Sequence, residues 1–178
     1  PACNLNCSYC YYLEKSKRFG STGTRMSDEL LEEFTKQFIE AHDVPVVMFT
    51  WQGGEPTLMG LDFYRKAVAL QKKYSGGKRI ENAFQTNGTR LDEDWCRFFK
   101  DNNFLVGISI DGDEHNHDHF RRTRSGRPTF RKVMNGIELL QKHSVEFNTL
   151  SVVNSYNVNY ASETYRFLKK IGSGFMQF

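Results

Sequence analysis

The apolar positions along this chain switch between two spacings, and the switching predicts its architecture. Ser27 reads as an N-cap with Asp28 and Glu29 in the first turn. Leu30, Phe34 and Phe38 then recur at helical spacing, so a helix runs to about Ala41. Val46 to Trp51 (VVMFTW) is an unbroken apolar run, the pattern of a strand covered on both faces. A helix follows from about Leu61 to Tyr74, then a short strand from Ile80 to Gln85. Asp92 caps the next helix, to about Asp101, and Leu105 to Ile110 (LVGISI) is again strand-like. Val133, Ile137 and Leu140 share one face of a helix from Thr129 to His143, and Phe147 to Val153 (FNTLSVV) is rich in strand formers. The last helix spans about Ala161 to Lys170 with Gly172 as its C-cap, and Phe175 to Phe178 opens one more strand.

Such a run of βα units implies a parallel sheet. Polar or glycine-rich loops follow the C-terminal ends of the strands: CNLNCSYC, QGGEP, QTNG, and SIDG with its long tail. In a parallel α/β barrel, chemistry collects at that face, so these four loops are expected to converge on one mouth. The chain begins in a loop where a first strand has just ended, and it stops inside a strand. The expected fold is therefore α/β: a partial (β/α)6 TIM-like barrel with parallel strands, its first strand missing and its last truncated. Residues 1–178 form one core domain in this reading. GSTGTR (Gly20 to Arg25) and YSGGKR (Tyr74 to Arg79) are the loosest loops.

Composition narrows the function classes. The 178 residues suffice for one sizeable core, and 15 Phe and 8 Tyr suit a densely packed interior. A net charge of +3 is too mild to argue for nucleic acid or an acidic membrane surface, and no apolar stretch is long enough to span a bilayer. Four cysteines in a chain of this size, three of them crowded at one end, do not read as a disulfide framework; a reducing cytoplasm is the expected location. Cys96, in DEDWCRFF, lies on an amphipathic helix and reads as a buried structural thiol.

The crowded three are Cys3, Cys7 and Cys10, at spacing C-x3-C-x2-C. A structural zinc site takes four ligands, usually as two C-x2-C pairs, and the second pair is absent; a zinc loop completed by a histidine is the alternative. Bacterial ferredoxin clusters use C-x2-C-x2-C with a fourth cysteine, and Cys96 is poorly placed to be that fourth. Three thiolates on a 4Fe–4S cube leave one iron without a protein ligand, and an open position is what lets a metal centre bind a substrate.

C-x3-C-x2-C with Tyr9 before the third cysteine resembles the motif of radical S-adenosylmethionine (radical SAM) enzymes. The resemblance extends to TWQGGEPTLMG (Thr50 to Gly60), FQTNGTRLD (Phe84 to Asp92), GISIDG (Gly107 to Gly112), HDHFRR (His117 to Arg122) and EFNTLSVVN (Glu146 to Asn154). These stretches are similar to the anaerobic sulfatase-maturating, formylglycine-generating subgroup. The three-cysteine motif is specific to the superfamily; the GGEP and TNG loops are shared with related peptide-modifying enzymes.

The resemblance implies a 4Fe–4S cluster held by Cys3, Cys7 and Cys10, with SAM on the fourth iron. It implies SAM contacts from Tyr9, Gly54, Glu55, Ser109 and Arg121, with simple loop packing as the other reading of Tyr9. Gln52 points toward SAM or substrate, or supports the site from behind. Asn87 contacts substrate or ribose, or merely forms its turn. Arg122, Arg124 and Arg127 read as a solvated basic loop. His115, His117 and His119 alternate as a metal site would, yet the family uses this loop without metal. The implied activity is oxidation of a cysteine or serine of a sulfatase polypeptide to Cα-formylglycine through a 5′-deoxyadenosyl radical, driven by a one-electron donor such as a flavodoxin or ferredoxin. The family's auxiliary clusters and its proton-accepting aspartate are expected in a C-terminal domain beyond residue 178. The alternatives are another radical SAM maturase, forming thioethers or cross-links, and an iron–sulfur sensor module without catalysis.

Overall fold

The computed structural model describes residues 2–13 and 25–178. GSTGTR lies outside them up to its last residue, Arg25. Five strands alternate with helices: α1 Asp28–Ala41, β1 Val46–Trp51, a 3-10 turn Pro56–Met59, α2 Leu61–Tyr74, β2 Arg79–Thr86, α3 Glu93–Asp101 and β3 Phe104–Ser109. Then come α4 Glu114–Phe120, α5 Phe130–Lys142, β4 Phe147–Leu150, a 3-10 turn Asn157–Tyr160, α6 Ala161–Lys170 and β5 Met176–Gln177. All pairings are parallel and each strand neighbours the next, in the order β1-β2-β3-β4-β5, which is the wall of a βα barrel. Among the described residues, no helix is long and apolar enough to cross a membrane.

The strands alternate as their period demands. One face of β2 to β4, carrying Phe84, Phe104, Val106, Ile108 and Phe147, meets α2, α3 and α5 in a single core with Tyr64, Trp95, Phe99, Ile137 and Leu140. The ring of Phe84 lies 5.0 Å from those of Tyr64 and Phe99. Cys96 is fully buried there and its thiol is pushed up to about 12 by burial, an inert packing role as expected. Asp92 caps α3 by accepting from Trp95 N, and Ser27 caps α1 by accepting from Leu30 N.

Three expectations are corrected. β1 is not covered on both faces: Val47 and Phe49 are buried, but Met48 and Thr50 point to the open inner side of the sheet. The buried stripe of α1 is Leu31, Thr35 and Ile39, one position on from Leu30 and Phe34, which remain exposed. Thr35 closes the polar gap in that stripe by donating to Leu31 O, 2.7 Å. Finally, β4 ends at Leu150 rather than Val153, because Ser151 and Val152 turn aside to bond Ile110 O and Asp111.

Gly136 sits inside α5, where glycine normally costs stability. A Cβ there would stand 2.6 Å from Gly88 O. Its absence lets the helix press against the QTNG turn, fixing that loop at the strand ends.

Candidate active site at the C-terminal ends of the strands

The loop of residues 2–13 is laced to three other loops. Ala2 O accepts from Glu55 N at 2.8 Å, Asn4 reaches Asn87 and Thr89 at 2.9 Å each, and Asn6 N donates to Arg122 O at 2.8 Å. Leu5, buried, bridges to Thr123. Within the loop, Cys10 N donates to Cys7 O, a tight turn that brings the second and third cysteines together. Leu5 N points at Cys3 Sγ from 3.4 Å, and Asn87 Nδ2 from 3.9 Å.

Burial pushes the Cys7 thiol up to about 11, with Arg121 pulling the other way and the other two cysteines adding to the rise. Burial likewise raises Cys3, opposed by the Leu5 N–H. Among the described residues no three Cys, His, Asp or Glu groups close tightly enough around a point to hold a single ion. A cube spreads its ligands over separate irons and takes a wider triangle of thiolates than a lone zinc does. N–H donors aimed at sulfur and a nearby guanidinium both favour thiolates.

Glu55 is buried, 2% exposed, and its carboxylate is fully engaged. One oxygen accepts from Thr57 N (3.0 Å), Thr57 Oγ1 (2.7 Å) and Thr86 Oγ1 (2.7 Å); the other accepts from Asn87 N (2.8 Å). Glu55 thus ties QGGEP to QTNG, and its side chain faces the protein. Asn87 is similarly employed: its Oδ1 accepts from Thr89 N and Oγ1 while its amide clasps Asn4. The turn-forming reading of Asn87 is the one this geometry matches. Just before Glu55, Gly53 and Gly54 run at φ +118° and +62°, the left-handed region that side chains avoid, and the Tyr12 hydroxyl stands 3.4 Å from where a Gly53 Cβ would lie. Gln52 is exposed beside them.

The second knot centres on Asp111, which the sequence alone did not single out. It is fully buried at the end of β3. Tyr9 OH donates to Oδ2, Arg121 Nη2 donates to Oδ1 at 3.0 Å, and Val152 N donates to Oδ1 at 3.0 Å. Arg121 Nε lies 2.9 Å from Oδ2 without the alignment of a hydrogen bond. Burial disfavours the Arg121 cation, yet Asp111, with smaller help from Tyr9 and Cys7, holds it charged. Burial raises the Tyr9 phenol beyond its ordinary range, so it stays a donor. The Arg121 fork expected to face a ligand carboxylate is therefore half occupied by Asp111. Its guanidinium also stands 5.6 Å over the Tyr9 ring.

Ser109 sits at the end of β3 on the inner face and its Oγ accepts from Gln85 Nε2 at 3.0 Å. The three alternating histidines part company because their segment forms the unforeseen short helix α4. His117 turns inward, 3.1 Å from Thr129 Oγ1, and burial with the Arg121 cation lowers it to about 4. His115 and His119 face outward and pack on Tyr156. They share no metal geometry. A cleft of about 440 Å³ lies elsewhere, between α2 and α3, lined by residues such as Arg65, Lys72 and Asp94 and by none of these site residues.

The family model described as the radical SAM superfamily matches residues 1–168. The chain belongs to the radical SAM superfamily. Its cofactors are those of that family, SAM and a 4Fe–4S cluster. Radical SAM relatives resemble it almost end to end. A serine-type anaerobic sulfatase-maturating enzyme of Bacteroides thetaiotaomicron is 50% identical over 177 residues, 99% of this chain and 43% of the relative. A cysteine-type enzyme of Clostridium novyi is 43% identical over 182 residues, 99% of this chain and 47% of the relative. The solved structure of native anSMEcpe with bound AdoMet and the Cp18Cys peptide superposes with a TM-score of 0.91 at 39% identity, covering 99% of this chain and 47% of that one. The chain thus spans less than half the length of each of these three proteins.

Proposed function

We propose that this chain is the core of a sulfatase-maturating enzyme, which oxidises an active-site cysteine or serine of a sulfatase polypeptide to Cα-formylglycine. The observation that carries the reading is the near end-to-end likeness to sulfatase-maturating relatives, at up to 50% identity among those compared. The matching solved protein holds AdoMet and a peptide together, which supports a polypeptide substrate here. A further domain with auxiliary clusters and the proton-accepting aspartate belongs to the same proposal, as does a flavodoxin or ferredoxin as electron donor.

In this reading Cys3, Cys7 and Cys10 hold the cluster. SAM would be held by the Gly53–Gly54 backbone, Tyr9, Ser109 and the donors of Arg121 that Asp111 leaves free. When bound, the cluster and SAM together supply a radical able to take a hydrogen atom from an unactivated carbon. The chain's own work is to bind, orient and keep water out. Asp111 fixes the plane of the Arg121 guanidinium, whose remaining donors suit a carboxylate. Glu55, with four protein donors on its carboxylate, holds the two loops in register. Cluster binding takes each cysteine as its thiolate, so loading the cluster would release protons and be favoured by higher pH.

The test is anaerobic reconstitution with iron and sulfide, then SAM, a reductant and a sulfatase-motif peptide, followed by mass spectrometry of peptide and SAM. Conversion of the peptide to the aldehyde with SAM cleavage is the expected result. SAM cleavage with the peptide untouched would assign another polypeptide target. A cluster that leaves SAM intact under strong reductant would refute the enzyme reading.

A further inference from the structure

Between His119 and Ile137 the chain carries Arg121, Arg122, Arg124, Arg127, Arg131 and Lys132 and no aspartate or glutamate. The whole chain is only +3, so this short stretch concentrates positive charge while the rest of the molecule is net negative. Arg121 is neutralised by Asp111, and Arg131 lies 3.8 Å from Glu114. Arg122, Arg124 and Arg127 are exposed, and among the described residues none of them meets a carboxylate within ion-pair distance. Like charges this close repel one another and gain the fold nothing.

The turn that displays them is rigid and is joined to the cysteine loop. Arg122 bridges to Pro128, Thr123 N donates to Arg127 O, and Gly126 N donates to Thr123 O, 2.9 Å each. Thr123 bridges to Leu5, Arg122 O accepts from Asn6 N, and Arg124 Nε donates to Cys3 O at 3.1 Å. The positive surface therefore begins at the backbone of a cluster ligand.

We propose that the Arg122–Pro128 turn is the docking surface for an acidic one-electron carrier protein. The proposal rests on the reading of Cys3, Cys7 and Cys10 as ligands of a redox cluster. Such a cluster needs an electron delivered from outside: the carrier is oxidised by one electron, the cluster is reduced by one, and no bond forms or breaks. Redox encounters are small and short-lived, and they are steered by charge rather than held by apolar area. An arginine turn fits that need, because each planar fork can grip a carboxylate on the partner. It also stands at the outer edge of the cysteine loop, whereas Glu55, Asn87 and Ser109 gather at the strand ends.

The experiment uses the anaerobically reconstituted protein and follows bleaching of the cluster's visible absorbance after mixing with reduced flavodoxin or with dithionite. R127E, alone and with R122Q, is compared with the unmodified protein and with K170E on the exposed end of α6. Reduction by flavodoxin is expected to slow about tenfold or more in the double variant, and its salt dependence to flatten. Iron content, reduction by dithionite (within about twofold) and the behaviour of K170E are expected to stay unchanged. Equal slowing with both reductants, or no slowing with flavodoxin, overturns the proposal. So does unchanged reduction by flavodoxin with a raised KM for the sulfatase substrate, which would give the turn to the substrate instead. A protein with no reducible cluster would refute the functional reading and the docking together, and dithionite reveals that before any carrier is added.

Discussion

The aromatic layer beneath the helices and the polar cradle at the strand ends are both buried, yet they are held by different means. Around Phe84 and Phe99 the rings meet at 5.0–5.5 Å in edge-on and tilted arrangements, and polar groups are few there, with the Tyr64 hydroxyl donating to Pro56 O at 2.9 Å. Such a core is set by volume, and it tolerates swaps that keep the volume. Around Asp111 and Glu55 each buried carboxylate collects several donors drawn from different loops. There, each group depends on named partners, and losing one strands the others. The fold's stability rests mainly on the first region, whereas the shape of the site depends on the second.

Substitutions can break that contrast. The largest effect is expected from Asp111→Asn, which keeps size but leaves the buried Arg121 charge uncompensated; a loss of about 3 kcal/mol or more should appear in urea unfolding. A loss no greater than that of a core swap would erase the distinction. Next comes acid. His117 is fully buried and is lowered to about 4 from its ordinary 6.5, so the folded state binds its proton less readily than the unfolded chain. Stability from this group is complete above about pH 6.5 and is lost as pH falls toward 4, amounting to about 3 kcal/mol. Unfolding free energies at pH 7 and pH 4.5 should differ less in His117→Gln than in the unmodified protein.

Glu55→Gln sharpens the comparison at smaller scale. The amide turns an N–H₂ toward donors that need an acceptor, costing about 2 kcal/mol. Since Glu55 joins two loops, SAM binding measured by calorimetry should weaken in that variant even where the cluster content is intact. The smallest effect is expected from Phe98→Leu, at about 1 kcal/mol in thermal unfolding, because the neighbouring rings of Phe99 and Phe104 can close over the change.

Local pattern was enough for most of the architecture. Helical spacing and cap residues marked α1, α2, α3, α5 and α6 to within a residue or two, since caps and apolar periods are short-range signals. EHNHDHF has no apolar stripe to mark it as a helix; it forms α4 through the Asp113 cap, which accepts from Asn116 N, and through burial of His117. The inner face of β1 and the buried stripe of α1 are not legible in the sequence, because hydrophobicity cannot say which neighbour a face will meet. The three cysteines were legible from spacing, since a metal loop brings its ligands together locally. Asp111 was not, for its partners Tyr9, Arg121 and Val152 lie far apart along the chain.

By itself, then, the sequence determined the order of elements, the parallel βα plan and the cysteine loop, all of which follow from interactions between residues close along the chain. Only the tertiary structure decided that the Glu55 carboxylate is turned into the protein, that half of the Arg121 fork belongs to Asp111, and that an arginine turn with no carboxylate partner among the described residues lies against Cys3. Those facts depend on which donors and charges meet across loops, and a buried charge takes its role from the partners that folding brings to it.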